Sequence, residues 1–426
     1  MVRYAIILSA ALAAWLVGFG GFTFLVDPYD VTGWVTIDGF NARKTRAHED
    51  GYRVRVGHHL LDTEAGTIIM GSSRVADGFP RELPDWPGGF ENLGMAGTSS
   101  FELARASVIA SRNENINCVI IGMDLREFGT YPRAHATYWI TPLTGMPPLM
   151  SHIQTSLSPN AFARAVQTVT DNVTGGRDDK WANAYAEEGL PDRFFEEVEK
   201  RYRGYSDYVY DPQRVRFLFR GIDALLANGV QVTVFIHPVH AWQEEAAQRV
   251  GAHPAEQALR RDIVAQLEAR EIGEARAPCF DGPALQAWDF GGFQQVSQSA
   301  PPDRSSVPPN PYYYVPAHYR PVLGQAILNR MQGEEQASPF DQASFGRRLN
   351  ADTVESLLAE GQARRADWLA NDEWAQWVSA EFDALDANPP TPENEARHYL
   401  NRDDFRQMER DVARAERRAR ARQDGP

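Results

Sequence analysis

The sequence predicts an α/β protein: a doubly wound parallel sheet in three layers, preceded by one membrane-crossing helix and followed by a C-terminal helical extension. Three observations carry this. An uncharged apolar run opens the chain, short β-like runs then alternate with helical patterns, and composition turns helix-forming from about residue 340. At 426 residues, 43% hydrophobic and 23% charged, the chain is long enough to bury a core without disulfide stapling. The expected parts are residues 1–28 as anchor, 29–335 as the α/β domain with an insertion at about 140–205, and 340–426 as the extension.

Tyr4 to Val26 carries no charged residue. At roughly 1.5 Å per residue, such a helix covers the ~30 Å hydrocarbon layer of a bilayer. A cleaved signal peptide is the competing reading. Ala10, Ala11, Ala13 and Ala14 offer small residues for cleavage, but the apolar run continues well past them. Asp27-Pro28 then ends the helix. Arg3 and the α-amino group favour a cytoplasmic N-terminus, which Asp27, Asp30 and Asp38 do not oppose, while Arg43, Lys44 and Arg46 pull the other way from further off. The expected placement is a single-pass membrane protein with an extracytoplasmic, periplasmic main domain.

Thr67-Ile68-Ile69-Met70 reads as a buried strand ending at Gly71, and Phe90-Glu91-Asn92-Leu93 as a short second strand ending at Gly94. Ser99 and Glu102 have capping-box spacing for a helix running to about Arg112. Cys118 to Ile121 follows as a third strand. Val215, Leu218, Phe219, Ile222, Leu225 and Leu226 recur at helical spacing, Asn228-Gly229 supplies a left-handed stop, and Val230 to Ile236 resumes as a strand. The insertion has a polar stretch near Gly175-Gly176-Arg177-Asp178-Asp179-Lys180. Residues 351–386 and 396–422 read as helices separated by Asn388-Pro389-Pro390-Thr391-Pro392. Trp368, Trp374 and Trp377 are expected to pack these helices onto another surface. The arginine-rich last stretch reads as a solvated helix, with contact to a partner or anionic surface as the alternative.

A net charge of −14 argues against nucleic acid, whose binders present a basic face. Cys118 and Cys279 allow at most one disulfide; Cys118, in the run Cys118-Val119-Ile120-Ile121, reads as a buried core thiol. Zinc sites built on cysteine need more of them. His237-x-x-His240 is a poor metal pair, because Pro238 interrupts the helix that would put both rings on one face. Neither a metal nor another cofactor is expected.

Ligands of open parallel sheets gather beyond the carboxyl ends of the strands. Those ends deliver Gly71-Ser72-Ser73-Arg74, then Asn92 to Thr98, then Gly122-Met123-Asp124, then His237 to His240; later comes Val315-Pro316-Ala317-His318-Tyr319 before a helix from Val322 to Met331. A serine on a tight strand-to-helix turn exposes its hydroxyl beside backbone N–H groups that hold an oxyanion, and a histidine from a late loop can take its proton.

These blocks resemble the SGNH, or GDSL-like, hydrolase superfamily over roughly residues 64–128 and 214–333. The nearest likeness is to its membrane-anchored, DltD-like members that help acylate envelope polymers. The resemblance implies Ser73 as nucleophile, Gly97 within Gly94-Met95-Ala96-Gly97-Thr98-Ser99 and the Ser73 N–H as oxyanion donors, and His318 as catalytic base. It implies an esterase or O-acyltransferase acting on a glycan or other envelope polymer, with an acyl-exporting membrane protein as partner. Two positions depart from the pattern. Asp124 stands where the third block carries an oxyanion-donating Asn, which suggests a structural role, and Val315 stands where the last block carries the acid that orients the histidine. Asp289 and Asp303 are candidates to replace that acid, though spacing points to neither. Ser72 is the alternative to Ser73 as the exposed hydroxyl. Arg74 either binds an anionic group or forms a salt bridge at the sheet edge. The rival function is a catalytically degenerate domain kept as a binding or assembly subunit of a membrane complex.

Overall fold

A computed structural model describes residues 2–47, 51–130, 136–176, 190–206, 208–302, 310–333, 345–387 and 402–423. In chain order its helices are α1 (Val2–Val26), α2 (Tyr52–Asp62), α3 (Ser73–Gly78), α4 (Ser100–Ala110), α5 (Pro148–Ser156), α6 (Pro159–Thr174) and α7 (Leu190–Tyr205). They continue as α8 (Pro212–Leu226), α9 (Ala241–Arg249), α10 (His253–Glu268), α11 (Pro321–Gln332), α12 (Val354–Asn371), α13 (Glu373–Ala387) and α14 (Arg402–Gln423). The strands are β1 (Thr67–Met70), β2 (Phe90–Asn92), β3 (Cys118–Met123), β4 (Gln231–Ile236), β5 (Leu285–Asp289), β6 (Tyr313–Val315), β7 (His318–Tyr319) and β8 (Arg347–Arg348).

The chain divides into two compact units. One comprises Met1–Asp62 with His135–Ala186, the other Thr63–Ala134 with Glu187–Pro426. The expected anchor therefore shares a unit with residues 29–62 and with the first part of the insertion, whereas α7 belongs to the α/β unit. In the first unit, α1 is 25 residues long and apolar enough to cross a membrane. It stops at Asp27, whose backbone is left-handed (φ 48°) and whose carboxylate accepts the N–H groups of Val31, Thr32 and Gly33. Burial alone would raise the Asp27 pKa, but those bonds and Lys44 outweigh it and hold it below the usual carboxylate value.

The second unit is built on a six-stranded sheet in the order β2-β1-β3-β4-β5-β8, with β1 to β5 parallel and β8 antiparallel. Strands β1 to β5 are buried at every residue, as expected of a parallel sheet covered on both faces. The order reverses between β1 and β3, so the loops leaving those two strands diverge and open a crevice at their carboxyl ends. Strand β5 escapes the alternation pattern because Gln286 interrupts its apolar run; Gln286 is accommodated by donating to Thr233 on β4 at 2.9 Å.

The capping box at Ser99 and Glu102 opens α4. Helix α8 packs closely on it: a Cβ at Gly221 would lie 2.5 Å from the Ala104 carbonyl oxygen. The expected helix over 351–386 is two helices, because Asp372 accepts the N–H groups of Trp374 and Ala375 and so caps a new start. The tryptophans find surfaces: Trp377 stacks on Trp242 at 5.1 Å, Trp374 lies 6.3 Å from it, and Trp368 packs on Phe293 at 5.5 Å. Helix α14 is amphipathic rather than solvated all round. It buries Met408, Val412, Ala415 and Ala419, pairs Asp411 with Arg105 of α4, and leaves Arg414, Arg417, Arg418 and Arg420 exposed. Cys118 is not a free thiol: it forms a disulfide with Cys279.

Candidate functional site

The β1–α3 turn is shaped by what its neighbours leave room for. A Cβ at Gly71 would lie 3.0 Å from the Gly122 carbonyl oxygen, and one at Gly122 would lie 2.7 Å from the Val75 side chain. Both glycines are thus required by close approach between the first and third loops. Ser72 caps α3 by accepting the Arg74 N–H at 3.3 Å, and its hydroxyl donates to Asp124 Oδ2 at 2.6 Å. That engages Ser72. Ser73 is the first residue of α3, where a helix N–H has no acceptor within its own helix.

Arg74 is buried and binds the site together. Its guanidinium pairs with Asp124, its Nε donates to the Ala317 carbonyl at 2.8 Å, and it meets the Tyr205 hydroxyl of α7. Asp124, the acid in the place of an expected Asn, is therefore paired with Arg74 and accepts the Ser72 hydroxyl. It braces the turn. Arg74 in turn is a buried ion-pair residue that ties the serine turn to the residue before His318.

His318 reaches Ser73 from the β6–β7 hairpin. Ser73 Oγ and His318 Nε2 lie 2.8 Å apart. The hairpin is clamped onto α3: a Cβ at Gly78 would lie 2.2 Å from the Tyr319 ring, and one at Gly324 of α11 would fall within 1.8 Å of the Gly78 carbonyl oxygen. Tyr319 also bonds His237 Nδ1 through its hydroxyl at 2.9 Å, and the His240 N–H donates to the Pro316 carbonyl at 3.0 Å. His237 and His240 are thus separately engaged, His240 also through Nε2 to the Ser299 carbonyl at 2.8 Å.

Burial first, then the nearby positive charges of Arg201, Arg74 and Lys200, hold the His318 pKa well below its ordinary value. The imidazole is neutral at neutral pH, the state in which Nε2 accepts the Ser73 proton. Asp77, one helical turn after Ser73, has Oδ2 4.0 Å from that same Nε2. It is a buried carboxylate close enough to stabilise positive charge formed on the ring.

Other expected positions fall elsewhere. Val315 is buried and pairs in register with His318, so the backbone place of the acid is filled by an apolar side chain. Asp289, expected as a substitute, is held by Arg260 at 2.7 and 3.2 Å and by the Gly291 N–H at 2.9 Å. Its oxygens serve that ion pair rather than His318. Asp303 lies outside the described residues. Gly97 has a left-handed backbone (φ 62°) in the loop after β2, which is tied to the serine turn by the Met95 N–H donating to the Gly71 carbonyl at 2.8 Å.

Sequence reasoning missed Asp77, Arg201 and Lys200. The spacing of Ser73 and Asp77, four apart at the start of a helix, was the available signal for the first. No local signal points from α7 to the other two, because their approach to His318 is purely tertiary. No protein-family model matches the chain, and no curated protein matches it.

Proposed function

We propose that this chain is a membrane-anchored acyl-transfer enzyme of SGNH-like pattern, a serine esterase or O-acyltransferase working through a Ser73–His318 dyad. The observation that carries the reading is the 2.8 Å approach of Ser73 Oγ to His318 Nε2, with the imidazole kept neutral. Ser73 Oγ attacks the acyl carbonyl carbon while His318 takes the hydroxyl proton. Collapse of the tetrahedral intermediate breaks the bond to the leaving group, which His318 protonates, leaving an acyl-Ser73. Water or an acceptor hydroxyl, deprotonated by His318, then attacks the acyl carbon and releases Ser73. The Ser73 N–H at the start of α3 and the Gly97 N–H are the proposed oxyanion donors. Asp77 supplies electrostatic support in place of the acid missing at 315.

The Cys118–Cys279 disulfide supports an oxidising, extracytoplasmic setting for the α/β unit, with the N-terminus of α1 cytoplasmic. An envelope glycan is the proposed acceptor, and an acyl-exporting membrane protein the proposed source of the donor. The rival, a non-catalytic assembly subunit, is favoured by Val315 and by the capture of Asp289 by Arg260. A fluorophosphonate probe separates the two. The wild-type chain is expected to label, and Ser73→Ala and His318→Ala are expected to lose labelling; equal labelling of wild type and Ser73→Ala removes Ser73 from the mechanism.

A further inference from the structure

Residues 136–163 contain no Asp, Glu, Lys or Arg. They form two short 3₁₀ turns (Ala136–Ile140 and Pro142–Thr144), then α5 and the first turn of α6. This segment packs against the last part of α1. Phe19 stacks on Phe162 with centroids 4.2 Å apart, and Phe22 meets the same ring edge-on at 5.7 Å. A Cβ at Gly20 would lie 2.7 Å from the Leu157 side chain, so the bare backbone at 20 makes room for the α5–α6 turn. Gly20 precedes the end of α1 at Val26 by about 1.7 turns, a depth of ~9 Å along the helix axis. Whatever touches α1 at that depth shares its surroundings.

The outer face of the same segment is apolar. Leu149, Met150, Ile153 and Val166 are 57%, 49%, 39% and 43% exposed, and Trp139 and Trp34 are 63% and 69% exposed. Isolated apolar residues on a water-facing surface are ordinary, but Trp139, Leu149, Met150 and Ile153 lie along an uncharged segment packed on a membrane-crossing helix, with Val166 and Trp34 just outside it. At the end of α1 the chemistry changes: Lys44 Nζ donates to the Val26 carbonyl at 2.9 Å, and Arg46 pairs with Asp171 at 2.7 Å. Tryptophan, an apolar face and a rim of paired charges at that level match the headgroup–acyl boundary of a bilayer.

We infer that α5, the start of α6 and the Trp34 and Trp139 side chains form an interfacial, lipid-seated module. Its apolar face lies in the leaflet from which the C-terminal end of α1 emerges. The partner is lipid, and the inference rests on α1 spanning the bilayer. Because both cysteines are disulfide-bonded, single introduced cysteines take a nitroxide label cleanly. The test uses the full chain in phosphatidylethanolamine–phosphatidylglycerol vesicles, with Leu149→Cys and Ile153→Cys as probes. Val17→Cys serves as the hydrocarbon reference and Asp352→Cys as the aqueous one. Power saturation is expected to show oxygen access exceeding that of a polar nickel chelate several-fold at 149 and 153, on the side of Val17. Values matching Asp352 overturn the module while leaving the span intact. Exclusion of both reagents at 149 and 153 points to a protein cover and overturns it too. An aqueous value at Val17 itself removes the span and the inference together.

Discussion

Two buried arginine–aspartate pairs stand at the carboxyl ends of one sheet: Arg74–Asp124 beyond β1 and β3, and Arg260–Asp289 at the end of β5. The titrating group beside each pair is shifted in the opposite direction. Beside the first, burial and then Arg201, Arg74 and Lys200 depress His318. Around the second, Glu256 and Asp289 press on buried Glu244, whose pKa burial and these neighbours push up to about 7, against Arg260 and the Gly292 N–H. The Arg74 pair also reaches the chain beside the imidazole, through Ala317, whereas Asp289 spends its oxygens on Arg260 and the Gly291 N–H. The same motif is a brace for the candidate nucleophile in one place and a closed ion-pair cluster in the other.

The sharpest way to break this comparison is to remove each arginine. Arg74→Met and Arg260→Met each strand a buried carboxylate, and each is expected to cost about 3–5 kcal/mol in urea unfolding. Only Arg74→Met is expected also to abolish fluorophosphonate labelling of the molecules that stay folded. Equal labelling rates in the two variants erase the distinction between brace and cluster.

A smaller effect separates the pairs by pH. Glu244 has a raised folded pKa, so the folded state binds the extra proton. Its stabilisation is complete below the ordinary value of 4.5 and is lost as pH rises through about 7. At about 1.4 kcal/mol per pKa unit, that is roughly 3 kcal/mol for this fully buried group. Glu244→Gln is expected to flatten the slope of stability between those pH values, followed by denaturation across a pH series. An unchanged slope removes Glu244 as the source of that pH dependence.

The smallest expected effect concerns His318, whose depressed pKa has the opposite sign. The neutral form is present at and above the ordinary value of 6.5, and labelling by the wild type is expected to hold level below it until the depressed pKa is reached. Arg201→Gln removes one repelling charge, so the acid limb of labelling moves toward higher pH. A limb that stays in place rules out Arg201 as a cause of the shift. Stability follows the same sign: the contribution of buried, neutral His240 is whole above 6.5 and lost as pH falls toward about 4.

Much of the site was legible one loop at a time. The strand ends deliver the blocks that hold Ser73, Gly97 and His318, and the resemblance to SGNH hydrolases singles out these three within them; that Gly71 and Gly122 tolerate no side chain is visible only in the fold. The failures share a cause. Asp289 qualifies by residue type alone, and an acid is an orienting group only if no arginine claims it first. Cys118 reads as a thiol from its apolar neighbours in sequence, while its partner Cys279 is 161 residues away. The break at Asp372 and the strand at Leu285–Asp289 escaped because a cap and a half-polar strand barely disturb composition.

By itself the sequence determined the local grammar of this protein: the apolar span that opens it, the capping box at Ser99, and the helix-to-strand handover at Asn228-Gly229. These rest on propensities and periodicities that act within a few residues. Only the tertiary structure decided that Arg74 would join Asp124, Tyr205 and Ala317, that Asp77 would stand by the ring of His318, and that the insertion would be shared between two units. Such contacts depend on strand order and close packing across long separations, where the energy of a pair is set by what else competes for each charge.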